Sequence, residues 1–170
     1  SCNPLTTIVW KPATCTIGTG EDAPFYSTDS KVTSFTLGDQ VEVIPSYLCY
    51  KMAKLDTISL PATVTKIGSY AFNGCSALKG IKLHEGITSV GQYAFAFCTS
   101  LKSLEFPKGI TTVATSILEG CTALNTVMIP ASVTTINQDA FYGCSALQAI
   151  HNYAITPQTI TERAVNSVNK

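Results

Sequence analysis

Ile58-Ser59-Leu60-Pro61-Ala62-Thr63-Val64-Thr65-Lys66-Ile67-Gly68, then Ala71-Phe72, then Gly74-Cys75-Ser76-Ala77-Leu78: this stretch returns almost word for word through most of the chain. Cys75, Cys98, Cys121 and Cys144 mark its beat, each 23 residues after the one before. A fixed period of this length is the signature of stacked repeats. Each unit buries its apolar face only against its neighbours, so the units build one continuous core.

Counting from Leu78 as the first position, Ile81 and Leu83 take the fourth and sixth. Leu55, Ile58 and Leu60, then Leu101, Leu104 and Phe106, then Leu124, Val127 and Ile129 fall in the same places. The alternation between the fourth and sixth positions predicts a strand. Pro61, Pro107 and Pro130 follow directly, and proline, with no N–H to donate, ends it. Ile67, Ala71, Phe72, Cys75 and Leu78 change the period and predict one face of a short helical turn. Between the two, the pairs Val64 and Ile67, Ile87 and Val90, Ile110 and Val113, and Val133 and Ile136 predict a short extended arm buried against its neighbours.

The frame reaches past the clean copies. Phe35, Leu37, Val41 and Ile44 continue it toward the N-terminus, with Cys49 in the phenylalanine slot, Met52 in the cysteine slot and Pro45 in the glycine slot. Leu5, Ile8 and Trp10 open an earlier, longer unit. Its extra length falls in residues 18–30, an expected surface loop with Pro24-Phe25-Tyr26 as its anchor. Leu147, Ile150 and Asn152 begin a last strand, and the pattern degrades over residues 154–165. Residues 1–170 thus read as a single solenoid domain. Both ends fall inside the repeat, so a segment of a longer chain is expected.

The bulk numbers agree with an ordered chain. Hydrophobic residues make up 45% and charged residues 13%, far from a disordered composition. The formal net charge is zero and no Lys/Arg run occurs, which argues against nucleic acid and anionic membranes as partners. No apolar run reaches ~18 residues, so no insertion into a membrane is expected. The seven cysteines do not read as a disulfide scaffold. Equivalent helical turns on neighbouring coils would stand ~8–10 Å apart, whereas a disulfide needs Cβ atoms within ~4.5 Å. The repeated cysteines, with Cys2 in the same slot, are expected to be small buried hydrophobes with a weak S–H donor.

The unit of residues 121–143 reads Cys-x-x-Leu-x-x-Val-x-Ile-Pro-x-x-Val-Thr-x-Ile-Asn-x-x-Ala-Phe-x-Gly, with Asn137 in the glycine slot. It resembles the BspA-type, or Treponema-type, leucine-rich repeat. The resemblance is strong over residues 55–147 and looser at the ends. Thr115-Ser116-Ile117-Leu118 departs from the Ala-Phe context, with leucine keeping roughly the volume. The resemblance implies an α/β fold: a right-handed leucine-rich-repeat solenoid, a parallel β-sheet on its concave face, short helical turns on its convex side, and about six to seven repeats. It also implies a bacterial surface or secreted protein, extracellular or at the cell surface, that binds host proteins or neighbouring cells. The family has no catalytic residues to carry over.

Function would sit on the strand residues that point outward. Most are small, and the distinctive ones are Lys82, His84, Glu105, Met128, His151 and Tyr153. They form a candidate binding strip for a protein or a glycan, and the 18–30 loop is a second candidate. No catalytic constellation, cofactor or metal site is expected. His84 and His151 lie three coils apart, roughly 14 Å at ~4.8 Å per strand, too far to share a zinc ion. Two classes compete: a non-catalytic binding or adhesion module, and a structural spacer that presents another domain at the cell surface.

Overall fold

The computed structural model describes residues 6–11, 25, 31–161 and 163–164. Its strands in chain order are β1 (Thr7–Trp10), β2 (Ser34–Leu37), β3 (Val43–Ile44), β4 (Lys66–Ile67), β5 (Ser89–Val90), β6 (Ser103–Glu105), β7 (Thr112–Val113), β8 (Thr126–Ile129), β9 (Thr135–Ile136), β10 (Ala149–Asn152) and β11 (Thr159–Ile160). Coils are numbered by their frame: coil 1 holds β1, coil 2 is residues 32–54, coil 3 is 55–77, coil 4 is 78–100, coil 5 is 101–123, coil 6 is 124–146, and coil 7 opens at Leu147. All pairing is parallel, in the orders β1-β2, β3-β4-β5, β6-β8-β10 and β7-β9-β11.

Two strand rows result. The first is the expected row at the fourth to sixth positions, where Val127 stands between Leu104 and Ile150. The second is the buried arm, where Ile44, Ile67 and Val90 stand in line. The first row is not continuous. Residues 57–60 and 80–83 carry the same alternation as their neighbours, yet they form no ladder. The first row stops after coil 2 and resumes at coil 5, and the second is interrupted between coil 4 and coil 5.

The helical turns expected on the other side do not form. The described residues contain no helix, so the architecture is a β-solenoid rather than α/β. Backbone bonding gives the reason. The Tyr70, Phe72 and Gly74 N–H groups donate to the carbonyls of Gln92, Ala94 and Ala96 in the next coil, at 3.0, 2.9 and 2.8 Å. Asn73 and Cys75 N–H instead close local turns onto Tyr70 and Phe72. Beyond its first turn an α-helix needs successive amides to bond four residues back in the same segment, and here alternate amides are committed to the neighbouring coil. Two columns of left-handed backbone make this possible. Tyr47, Tyr70, Tyr93, Ser116 and Asp139 form one, and Lys51, Gly74, Phe97, Gly120 and Gly143 the other. Each column recurs at the repeat period, and each residue in it interrupts any helical run.

The core runs unbroken along the stack. Phe72, Phe95 and Phe141 are fully buried, as are Leu78, Leu101 and Leu124. Phe72 and Phe95 stack at 5.5 Å. The cysteine column has a bonding role as well as a packing one. Cys75 Sγ donates to the Cys49 carbonyl at 3.1 Å, and Cys98, Cys121 and Cys144 donate likewise to Phe72, Phe95 and Leu118. Each thiol adds a second donor to a carbonyl of the coil below that already accepts a local turn N–H. Met52 holds the slot by volume alone, fully buried. Burial pushes all these thiols up, Cys144 to about 11. Cys49, Cys75, Cys98, Cys121 and Cys144 are free, while Cys2 and Cys15 lie outside the described residues.

Most of the 18–30 loop also lies outside the described residues. Its expected anchor is visible at Phe25, which meets the Trp10 and Phe35 rings edge-on at 5.7 and 5.8 Å.

Glycine is required where coils approach most closely. A Cβ on Gly91 would stand 2.5 Å from the Ser69 nitrogen, and one on Gly68 would clash with the Ser46 nitrogen. Coils 2, 3 and 4 are therefore pinched together beside the second row. Ala114 and Asn137 fill this slot in coils 5 and 6. A stacked tyrosine ladder sits on the same pinched coils. Tyr47 lies on Tyr70 at 4.8 Å, and Tyr70 on Tyr93 at 4.7 Å, with rings 8° from parallel in both pairs. Burial, and then the neighbouring phenols, raise the Tyr70 pKa.

Candidate functional site

The strand face carries two adjoining recesses over coils 4 to 7. The first is about 630 Å³ and is walled by residues 81–85 on one side and by Ser103, Glu105 and Pro107 on the other. The second is about 480 Å³. Phe106, Met128, Pro130 and Tyr153 form its apolar lining, and Glu85, Glu105, Lys108 and Ser132 its polar members. Glu85 and Glu105 line both and so stand between them.

The local fold explains the second recess. Alternation along β8 turns Val127 and Ile129 inward and leaves Met128 36% exposed. The chain then turns at Pro130 and runs past Ala131 and Ser132. Tyr153, just beyond β10, is 57% exposed and closes the far side. An apolar floor with a few polar groups at its edge fixes the orientation of a bound side chain while excluding water from it.

Of the candidate residues, Lys82, His84 and Glu105 come together at the first recess, and Glu105, Met128 and Tyr153 at the second. His151 lines neither, although it pairs with Met128 across the β8–β10 ladder and is exposed. His84 has both ring nitrogens engaged by backbone. Nδ1 accepts the Gly86 N–H at 3.2 Å, which leaves Nε2 to donate to the Pro61 carbonyl at 3.0 Å. The ring is thus a brace between coils 3 and 4.

Glu85, Lys108 and Ser132 were not singled out by the sequence, and Phe106 was read only as an inward-facing core position. Glu85, Lys108 and Ser132 follow the strand in the turn, where alternation no longer says which way a side chain faces. Their signal was that the residues after the strand vary from coil to coil. Glu85 also links coils, since its Oε2 accepts the Lys108 N–H at 3.0 Å.

Charge elsewhere is sparse. Arg163 Nη2 meets Asp139 Oδ2 at 2.7 Å, and that hydrogen bond holds the Asp139 carboxyl below its usual range. Lys79 and Asp56 pair at 3.8 Å on the surface, where such a contact contributes little. Among the described residues, no group of three or more His, Cys, Asp or Glu is placed to hold a metal ion. No described helix is long and apolar enough to cross a membrane.

Comparison with known proteins agrees with this geometry. The family model described as BspA type leucine rich repeat region matches residues 2–148 in six copies. No curated protein sequence matches the chain. Among solved structures, a T. pallidum leucine rich repeat protein superposes with a TM-score of 0.78 at 21% identity, covering 98% of this chain and 73% of that one. A leucine-rich repeat protein from Eubacterium ventriosum gives 0.72 at 21% identity, covering 94% of this chain and 38% of that one. One from Bacteroides ovatus gives 0.65 at 22% identity, covering 95% and 50%. At these identities the likeness is one of fold. The chain spans half or less of the latter two.

Proposed function

We propose, on the premise that this chain belongs to the BspA-type leucine-rich-repeat family, that it is a non-catalytic binding module of a bacterial surface or secreted protein. The family is one of protein-interaction or scaffold modules. The observation that carries the reading is the recess of about 480 Å³ on the strand face. It combines Met128, an adaptable side chain, with Tyr153, a large amphipathic one, and such residues are favoured at binding surfaces. Glu85, Glu105 and Lys108 supply a charged rim that would orient a polypeptide partner. Lys82 and His151 flank this region and complete the strip; a glycan is the weaker fit, because the recess is lined chiefly by apolar groups. The 18–30 loop remains a second contact surface.

The test is capture by the immobilised chain from a panel of purified extracellular-matrix and serum proteins. Met128→Ala with Tyr153→Ala should weaken capture at least about tenfold, the scale of a lost interface anchor, with the circular dichroism spectrum unchanged. Undiminished capture by that double variant would remove the recess from the reading. A spacer is the alternative. It is favoured by the small outward residues of coils 2 and 3 (Ser34, Thr36, Thr57 and Ser59), and it would capture nothing from the panel.

A further inference from the structure

The second strand row is stitched by the same bonds at almost every junction. Between coils 2 and 3, Thr65 N–H donates to the Glu42 carbonyl and Gly68 N–H to Ile44, both at 2.8 Å. Thr88 to Thr65 and Gly91 to Ile67 repeat them between coils 3 and 4. Thr134 to Thr111 and Asn137 to Val113 do so between coils 5 and 6, and Thr159 to Thr134 and Thr161 to Ile136 between coils 6 and 7. The Thr65, Thr88 and Thr134 hydroxyls add a bond each to the carbonyls that their own N–H groups use. Between coils 4 and 5 all of this is missing. Among the described residues, neither the Thr111 N–H nor its hydroxyl bonds to Thr88, and the Ala114 N–H does not bond to Val90. The first row has no ladder there either. The tyrosine stack also ends at this seam, on Tyr93, because Ser116 holds the next slot.

Coils 4 and 5 are held at the opposite edge instead. Tyr93, Phe95 and Phe97 N–H donate to Thr115, Ile117 and Glu119 at 3.1, 3.0 and 2.6 Å, and the Cys121 thiol donates to Phe95 at 3.1 Å. On the strand side the two coils touch with little bonding. A Cβ on Gly109 would stand 3.0 Å from the Ile87 carbonyl. Lys102 N–H reaches Lys79 at 3.4 Å, whereas the equivalent Asn125 and Gln148 bonds are 2.9 Å. The other polar link on this side, among the described residues, is the Glu85 carboxylate on the Lys108 N–H at 3.0 Å. A stacked array parts at its weakest neighbour interface. A junction bonded along one edge and only packed along the other bends about the bonded edge.

The recess of about 630 Å³ lies across this seam, with residues 81–85 on one wall and Ser103, Glu105 and Pro107 on the other. Glu85 is also the coil 4 residue that lines the recess of about 480 Å³. We propose that coils 2–4 and coils 5–7 are two blocks that hinge about the turn edge of this seam, opening and closing the recess between them, with Glu85 on the Lys108 N–H as the latch. A partner that must touch both walls at once prefers the closed form and draws the balance towards it. That coupling rests on the recess being a binding site, whereas the hinge is measured without a partner, so the two fail separately.

Relaxation-dispersion NMR on the whole chain reads the motion, because hinge movements fall in the μs–ms range. Amides of residues 81–91 and 103–114, on the two sides of the seam, should show dispersion with one shared rate, while those of β8 and β9 stay flat. Glu85→Ala should raise the exchange contribution at the seam about twofold or more, because a lost charge-assisted hydrogen bond favours the open form. Hydrogen exchange tests whether the blocks are separate. Ile129→Val, in coil 6, should speed exchange of the slowest amides of coils 5–7 about fivefold, the effect of one buried methyl group. Those of coils 2–4 should change by less than about twofold, because a separate block opens on its own. Flat dispersion at the seam overturns the hinge, and so does an equal loss of protection on both sides of it. An unchanged exchange contribution in Glu85→Ala overturns the latch.

Discussion

Coils 5 to 7 and coils 2 to 4 are written in the same repeat but are held together differently. In coils 5 to 7 both strand rows close, through β6-β8-β10 and β7-β9-β11. In coils 2 to 4 only the second row closes, and the first opens into fissures. What coils 2 to 4 have instead is close backbone approach at Gly68 and Gly91 and a three-ring tyrosine stack. Coils 5 and 6 place Ala114, Asn137, Ser116 and Asp139 in those slots, and their strands pair with each other and with coil 7. The two halves thus differ both at the strand row and at the turn on the far edge of the repeat.

The sharpest way to break this comparison is a matched pair of truncations. Ile129→Ala in sealed coil 6 should cost about 2–5 kcal/mol, the usual range for a buried aliphatic side chain. Leu60→Ala, at the same position of coil 3, should cost about half as much, because its side chain is already half-exposed. Urea unfolding measures both, and equal losses would mean that coil 3 is sealed after all.

The pinch itself is tested next. Gly91→Ala would place a methyl group against the Ser69 backbone, so coils 3 and 4 must separate, at a cost of about 1–3 kcal/mol. Ala114→Gly in the same slot of coil 5 should cost less, about 0.5–1 kcal/mol from backbone entropy. A neutral Gly91→Ala would mean that coils 3 and 4 do not approach this closely at Ser69.

The smallest effect concerns the tyrosine ladder. Tyr70 has φ of +60°, a conformation that costs an L-residue about 1–2 kcal/mol. Its two ring stacks return about 0.5–1.5 kcal/mol each. Tyr70→Gly relieves the strain but loses both stacks and adds glycine's entropy, so a net loss near 1 kcal/mol is expected by thermal melting. Ser116→Gly, also left-handed but without a ring, should fall within about 1 kcal/mol of neutral. A stabilised Tyr70→Gly would show that the stack does not offset its own strain.

Much of this was legible in the residues. The frame placed Phe72, Cys75 and Leu78 in the core, and of the expected arm Ile67 joined the second row while Val64 is buried just ahead of it. The S–H donor expected of the cysteines found its acceptors. The helical turn was misread because spacings of four, one, three and three also fit a chain of tight turns punctuated by left-handed residues. Tyrosine and lysine do not advertise that conformation as glycine does. The fissures were hidden because Ile58 and Leu60 alternate just as Leu104 and Phe106 do. Of the residues that line the two recesses, alternation pointed Lys82, Glu105, Met128 and Tyr153 outward, while Glu85 and Lys108 lay beyond the strand, where alternation stops.

The sequence by itself determined the period of 23 residues and which side chains face inward, because burial acts on the chemistry of each side chain and repeats with it. Only the tertiary structure decided which amides reach across coils, which thiols meet carbonyls and where the strand face stays open. Those outcomes depend on backbone groups that nearly every residue shares, and on the distance between coils.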